Sequence, residues 1–203
     1  TRRRGRGTRR RPRRGVDEEP GLADESDVFL VDTVLGGATL VLSIGLSLAM
    51  VTIERETTGS RTTACLRLAR ELDEGFNENG LATMAEDLPD QRTVVALDDG
   101  DLVGFVSIEE CNPNVSELGW FAVADDRQGE GIGTELLAEV YDDRRAAGVE
   151  LLSVKTLADT VESENYARTR AFYEKEGFRH VETIDPFPGW DPGNPCAIYV
   201  KPL

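Results

Sequence analysis

The residues Leu118-Gly119-Trp120-Phe121-Ala122-Val123-Ala124-Asp125-Asp126-Arg127-Gln128-Gly129-Glu130-Gly131-Ile132-Gly133-Thr134 decide the architecture of this chain. An apolar run, Leu118 to Val123, leads into closely spaced glycines, and a helical pattern follows from Ile132 to Ala147. That order reads as strand, glycine-rich turn, helix. The first amides of a helix have no intrahelical acceptor and point back along its axis. With the helix dipole they form a site for an anion, most often a phosphate. Gly129, Gly131 and Gly133 withhold the side chains that would keep a phosphate from the backbone. The loop is not a P-loop, since no Gly-Lys-Ser/Thr follows, and it lacks the spacing and early position of a dinucleotide fingerprint. A turn that needs glycine only for packing would look the same in isolation.

The chain has 203 residues, enough for one domain of ordinary size and an extension. Its formal charge of −15 is unevenly placed. Residues 1–53 hold nine Arg and seven Asp or Glu, and the remaining 150 hold 14 Lys or Arg against 31 Asp or Glu. The lysines are Lys155, Lys175 and Lys201. An acidic, lysine-poor surface keeps a protein soluble in concentrated salt and repels itself at low salt. A halophilic, salt-adapted cytoplasm is therefore the expected setting, with an ordinary acidic domain as the alternative. The same acidity argues against nucleic acid as a partner of the folded part. Cys65, Cys111 and Cys196 form no C-x-x-C pair and His180 stands alone, so neither a zinc site of common spacing nor a disulfide framework is expected. A cysteine nucleophile would need His180 as its base, and nothing in the sequence brings the two together.

Residues 1–14 are an arginine-rich arm and residues 15–27 an acidic stretch; with little to bury, both are expected to be disordered. From Thr33 to Ile53 no charge occurs, and 21 residues can span a bilayer with the arginines holding the N-terminus in the cytoplasm. Asp32 and the Gly36-Gly37 pair weigh against a span. Residues 28–49 read equally as a membrane anchor or as sequence upstream of a start at Met50, where the composition changes. Membrane contact is thus expected only through residues 28–53, on the cytoplasmic side.

From residue 50 to 203 strands and helices alternate. Val51–Glu56 is the first expected strand. Thr62 or Thr63 is placed to cap a helix through Leu72, and a second helix runs from about Asn77 to Leu88. Thr93–Leu97 and Leu102–Ile108 form a hairpin about Asp98-Asp99-Gly100-Asp101. Val115–Ala124 follows, then the glycine loop and a helix whose Ile132, Leu136, Leu137, Val140 and Tyr141 make a core-facing stripe. Leu151–Thr156 is the next strand, parallel to Val115–Ala124 across that helix. A helix over Tyr166–Glu176 closes at Gly177, and Phe178–Ile184 and Cys196–Val200 complete the sheet.

Two motifs carry a resemblance. Gln128-x-x-Gly131-x-Gly133, preceded by Gly119-Trp120-Phe121-Ala122-Val123-Ala124-Asp125, is similar to the acetyl-CoA pyrophosphate loop of the GNAT superfamily of N-acetyltransferases. Phe172, Tyr173, Gly177 and Phe178 match, in register, the family's late helix N-x-x-A-x-x-[FL]-Y-x-x-x-G-F. Thr169 and Tyr166 depart from its alanine and asparagine. The resemblance extends over Val51–Leu203. Leu152–Leu157 and Trp190–Cys196 look like a bacterial and archaeal subgroup of uncharacterised members.

The resemblance implies an α/β (α+β) fold. Its mixed, mostly antiparallel sheet has about seven strands, helices on both faces, and a central parallel pair that splays to admit acetyl-CoA as cosubstrate. Phe121, Ala122 and Val123 would line that gap, and the backbone from Arg127 through Gln128, Gly129, Glu130, Gly131, Ile132 and Gly133 to Thr134 would hold the pyrophosphate. An amide of Phe121 or Val123 would polarise the acetyl carbonyl. Tyr173 would protonate the leaving thiolate. Glu117 is the best candidate base, through water, ahead of Glu109 and Glu110. Arg127 meets either the adenosine 3′-phosphate or solvent. The expected activity is transfer of an acetyl group to a primary amine of a small molecule or protein by direct attack. A non-catalytic acyl-CoA-binding module is the alternative, and an adaptor anchored through residues 28–53 a third. The acceptor is expected to be set by the loops around Leu81–Asp90 and Asp185–Pro195. A homodimer is left open.

Overall fold

The computed structural model describes residues 51–72 and 76–203. The arm at 1–27, the apolar segment at 28–49 and the start at Met50 lie outside the described residues. In chain order the elements are β1 (Thr52–Glu56), α1 (Thr62–Glu71), α2 (Glu78–Asp87), β2 (Arg92–Asp98), β3 (Asp101–Asn112), β4 (Val115–Val123), a 3₁₀ turn (Asp125–Arg127), α3 (Ile132–Ala146), β5 (Leu151–Leu157), α4 (Glu164–Lys175), β6 (Arg179–Ile184) and β7 (Cys196–Pro202). The seven strands form one sheet in the order β1-β2-β3-β4-β5-β7-β6. Only β4 and β5 are parallel.

Each face of the sheet carries its own core. Leu136, Leu137 and Val140 of α3 and Tyr173 of α4 pack with Val106, Ile108, Leu118, Leu152 and Val154. On the other face Cys65, Leu68 and Ala69 of α1 and Leu81 and Met84 of α2 pack with Val95, Phe105 and Ala122. All five stripe residues of α3 are buried, and fully burying a leucine contributes about 2 kcal/mol. Among the described residues no helix is long and apolar enough to cross a membrane.

Local chemistry sets most boundaries. Asp99 and Gly100 adopt φ of 48° and 90°, the left-handed pair that a two-residue hairpin turn needs. Asn77 caps α2, its side chain accepting from the Gly80 amide at 2.7 Å. Three expectations shift. No threonine caps α1: Arg61 holds the cap position, and the Thr62 hydroxyl donates to the Gly59 carbonyl at 3.1 Å. Helix α4 starts earlier than Tyr166, because Ser163 caps it by accepting from the Tyr166 amide at 3.3 Å. Strand β3 continues past Ile108, because Glu109 and Glu110 pair with Glu117 and Ser116 of β4.

Charge is buried as well. Arg144 of α3 is 2% exposed, and its Nε and Nη2 reach Asp143 Oδ2 at 2.9 and 2.5 Å. Asp143 also receives Arg92 of β2 at 3.2 Å and Arg55 of β1 at 3.4 Å, and Arg144 reaches Glu110 of β3 at 3.1 Å. One network thus ties α3 to three strands.

Candidate acetyl-donor and acceptor site

Strands β4 and β5 pair over four rungs only, Val115 to Leu118 against Leu151 to Val154, although β4 runs on to Val123 and β5 to Leu157. The cause is a bulge. The β3–β4 register shifts between Val106 and Ile108, so Gly119 and Trp120 together face Ser107. The Trp120 amide donates to Ser107 Oγ at 2.7 Å. A Cβ on Gly119 would lie 2.8 Å from that oxygen and 2.9 Å from Gln91 Oε1, so only glycine fits. A bulged strand bends, and β4 leaves β5 there. The Ala124 amide donates to the Val103 carbonyl, which turns the groups of Ala122 toward β3 and those of Phe121 and Val123 into the gap.

The glycine loop closes one end of this gap. Gln128 Nε2 donates to the Val123 carbonyl at 3.3 Å and to Asp125 Oδ1 at 3.0 Å, tying the loop to β4. Gly129 and Gly131 have φ of 86° and 91°, and a Cβ on either would meet nothing within 4 Å. Their glycines answer the backbone's handedness, and the space above them is open. Gly131 is the N-cap of α3, and the first intrahelical bond runs from the Glu135 amide to the Gly131 carbonyl. The amides of Ile132, Gly133 and Thr134 precede it and have no intrahelical acceptor. Gly133 has a different reason to be glycine: a Cβ there would lie 3.2 Å from Phe172 Cζ. The Ile132 side chain is buried, and the Thr134 hydroxyl donates to Glu176 at 2.7 Å. Arg127 is held between Asp98 (2.5 Å) and Glu130 (2.8 Å), and hydrogen bonds to those two carboxylates push its pKa up.

The late motif meets the first one here. Phe172 of α4 stacks edge-on against Phe121 at 5.7 Å, and the Tyr173 ring lies 6.4 Å from Phe121. Tyr173 is 5% exposed; burial, and then the charge of a neighbouring Tyr141 phenolate, raise its phenol above the usual value. It stands on the α3/α4 face of the sheet. Glu117 alternates with Leu118 and so projects from the other face. Lys155 Nζ lies 2.6 Å from Glu117 Oε1, and Ser153 Oγ donates to Oε2 at 3.4 Å. Glu109 stands directly across from Glu117. Burial lowers the Lys155 pKa, but the hydrogen bond and charge of Glu117, with the charge of Glu109, outweigh it and the net shift is upward.

Sequence reasoning quoted Gly119 without giving it a role, and missed Lys155. A glycine inside a strand pattern does signal a bulge; nothing local points to Lys155. The thiols stay protonated: burial pushes Cys65 to about 12 and Cys196 to about 11, and raises Cys111. His180 packs on Tyr199 at 5.2 Å. Among the described residues no cluster of His, Cys, Asp or Glu is placed to hold a metal ion.

A family model for the acetyltransferase (GNAT) domain matches residues 89–180. No curated protein matches the chain. Among solved structures, an acetyltransferase of the GNAT family from Desulfovibrio desulfuricans is 26% identical, covers 75% of this chain and 99% of its own, and has a TM-score of 0.65. The ribosomal-protein-S18-alanine N-acetyltransferase of Escherichia coli (21% identity, 76% and 94% covered, TM-score 0.60) shares the fold. So does a GNAT family acetyltransferase from Elizabethkingia anophelis with acetyl-CoA bound (21% identity, 75% and 98% covered, TM-score 0.55). The two sequence motifs, the splayed parallel pair they frame, the family model and these folds agree: the chain carries an acetyltransferase (GNAT) domain.

Proposed function

We propose that residues 50–203 transfer an acetyl group from acetyl-CoA to a primary amine of a small molecule or protein. The observation that carries this reading is the placement of Tyr173 and Glu117 on opposite faces of the sheet beside one gap. An amine can then approach from the Glu117 face while the thiol departs on the Tyr173 face. The site suits the donor: the loop above Gly129 and Gly131 is open, and the backbone groups of Phe121 and Val123 face the gap. Acetyl-CoA supplies an activated acetyl group and a thiol leaving group.

The chain's residues do the rest. The amides between Arg127 and Thr134 would hold the pyrophosphate at the positive end of α3. The gap along Phe121 and Val123 would seat the pantetheine arm, with Ala122 turned to β3 rather than into it, and an amide of Phe121 or Val123 would stabilise charge on the carbonyl oxygen. Glu117 would accept a proton from the acceptor ammonium through water, and Tyr173 would donate one to sulfur.

Calorimetric titration of acetyl-CoA into the full chain and a Gly131→Trp variant tests the reading. Tryptophan at a left-handed position over the loop is expected to abolish the binding heat while circular dichroism stays native. Binding without amine-dependent thiol release would leave an acyl-CoA-binding module instead. No binding by the folded parent would remove the proposal.

The charge of residues 54–203 supports a salt-adapted cytoplasmic protein. The thermal midpoint is expected to rise between dilute buffer and molar KCl as self-repulsion is screened. A midpoint insensitive to KCl would make the acidity incidental.

A further inference from the structure

Lys155 is the first residue of β5 beyond the last rung shared with β4, on the face away from α3 and α4. Its ammonium therefore stands at the apex of the gap, 2.6 Å from Glu117. The side chain is one-third exposed, and the Phe187 ring lies 5.5 Å from Nζ. The other ionisable groups around it are Glu109 and Cys111 of β3 and Cys196 of β7. An acceptor amine that gives its proton to Glu117 through water approaches a carboxylate that this ammonium already pairs. A primary amine, a carboxylate to deprotonate it and an acetyl-donor gap are thus assembled within one chain.

We propose that Lys155 is the chain's own first acceptor: its ε-amine takes an acetyl group in cis, and the neutral amide that results releases Glu117 for the amines that follow. The inference rests on the acetyl-transfer reading above. In the step, the Nζ–carbon bond forms and the carbon–sulfur bond breaks. The ammonium loses one proton to Glu117, which passes it to solvent. A second proton leaves the nitrogen as the amide forms, and the sulfur departs as a thiol with a proton from Tyr173, which that second proton restores. The product lysine has no positive charge and keeps one N–H, so its ion pair with Glu117 is lost.

The chain's lysine content makes the test clean. Lys175 and Lys201 are the other lysines, and Lys175 is exposed, so acetylation in free solution favours Lys175 over Lys155. The full chain is incubated with isotopically labelled acetyl-CoA without added amine, digested and read by mass spectrometry. Label at Lys155 is expected to exceed that at Lys175 and Lys201 by about tenfold or more, as effective molarity dictates. Its rate per chain should be unchanged on dilution. Tyr173→Phe and Glu117→Gln should slow labelling of Lys155 and leave Lys175 as it was. Transfer to an added amine should begin with a lag that preincubation with acetyl-CoA removes. If added amines are acetylated while Lys155 trails Lys175, the inference is wrong and the acetyltransferase reading stands. Lys155 labelling that ignores both substitutions is solution chemistry and overturns it too. A Lys155 label without a lag overturns the release of Glu117. If neither Lys155 nor any added amine is acetylated, both fall together.

Discussion

Replacing Tyr173 with phenylalanine is expected to lower kcat about 100-fold, the lower end of what a positioned general acid contributes, while acetyl-CoA binding stays close to that of the parent chain. The reasoning begins from packing. Tyr173 touches Phe172, Phe178 and Phe121 through its ring, and phenylalanine keeps that ring. The substitution therefore removes one hydroxyl from an otherwise intact aromatic cluster. Burial raises the phenol pKa above its free value of about 10, so Tyr173 stays protonated through the neutral range. Its ionisation should not produce an alkaline fall in kcat below that pH. Steady-state kinetics across pH, with calorimetry of acetyl-CoA binding, checks both statements. A Tyr173→Phe enzyme with unchanged kcat would reduce Tyr173 to a core aromatic and leave the thiolate to take its proton from water.

The second large effect is on stability. Asp143→Ala is expected to lower the unfolding free energy by about 3–5 kcal/mol, the usual cost of breaking a buried ion pair from one side. Asp143 faces Arg55, Arg92 and Arg144, and Arg144 is almost wholly enclosed. Without Asp143, Arg144 keeps only Glu110, whose side chain is 63% exposed and whose pairing is screened by water. The paired substitution of Asp143 and Arg144 by apolar residues of similar volume should cost less than Asp143→Ala alone, since no buried charge is left behind. Urea unfolding in constant salt measures all three chains. A loss below about 1 kcal/mol for Asp143→Ala would mean that Arg144 reaches water when its partner is gone.

Much of this protein was legible one stretch at a time. The left-handed turn at Asp99-Gly100, the cap at Asn77 and the glycine loop before α3 depend on a few adjacent residues, so their chemistry shows in the string. The stripe Ile132, Leu136, Leu137, Val140 and Tyr141 announced which side of α3 is buried. The loop and late-helix motifs carried the family. What no local pattern reports is which distant side chains share a face. Glu117 could be placed on its strand from sequence, but its bond to Lys155 exists only because β4 and β5 are parallel neighbours up to Leu118. Gly133 read as an anion-loop glycine, and its close contact turns out to be with Phe172. The burial of Asp143 and Arg144 near the end of α3 comes from the strands whose Arg55, Arg92 and Glu110 pair with them.

The sequence by itself therefore determined the order of elements, the positions that need glycine and the family, because backbone handedness, helix caps and apolar periodicity act over a few residues. Tertiary structure alone decided where β4 parts from β5, which face carries Tyr173 and which Glu117, and which lysine stands beside Glu117. Those features follow from strand order, register and one bulge at Gly119, and they come into being only when segments far apart in the chain are paired.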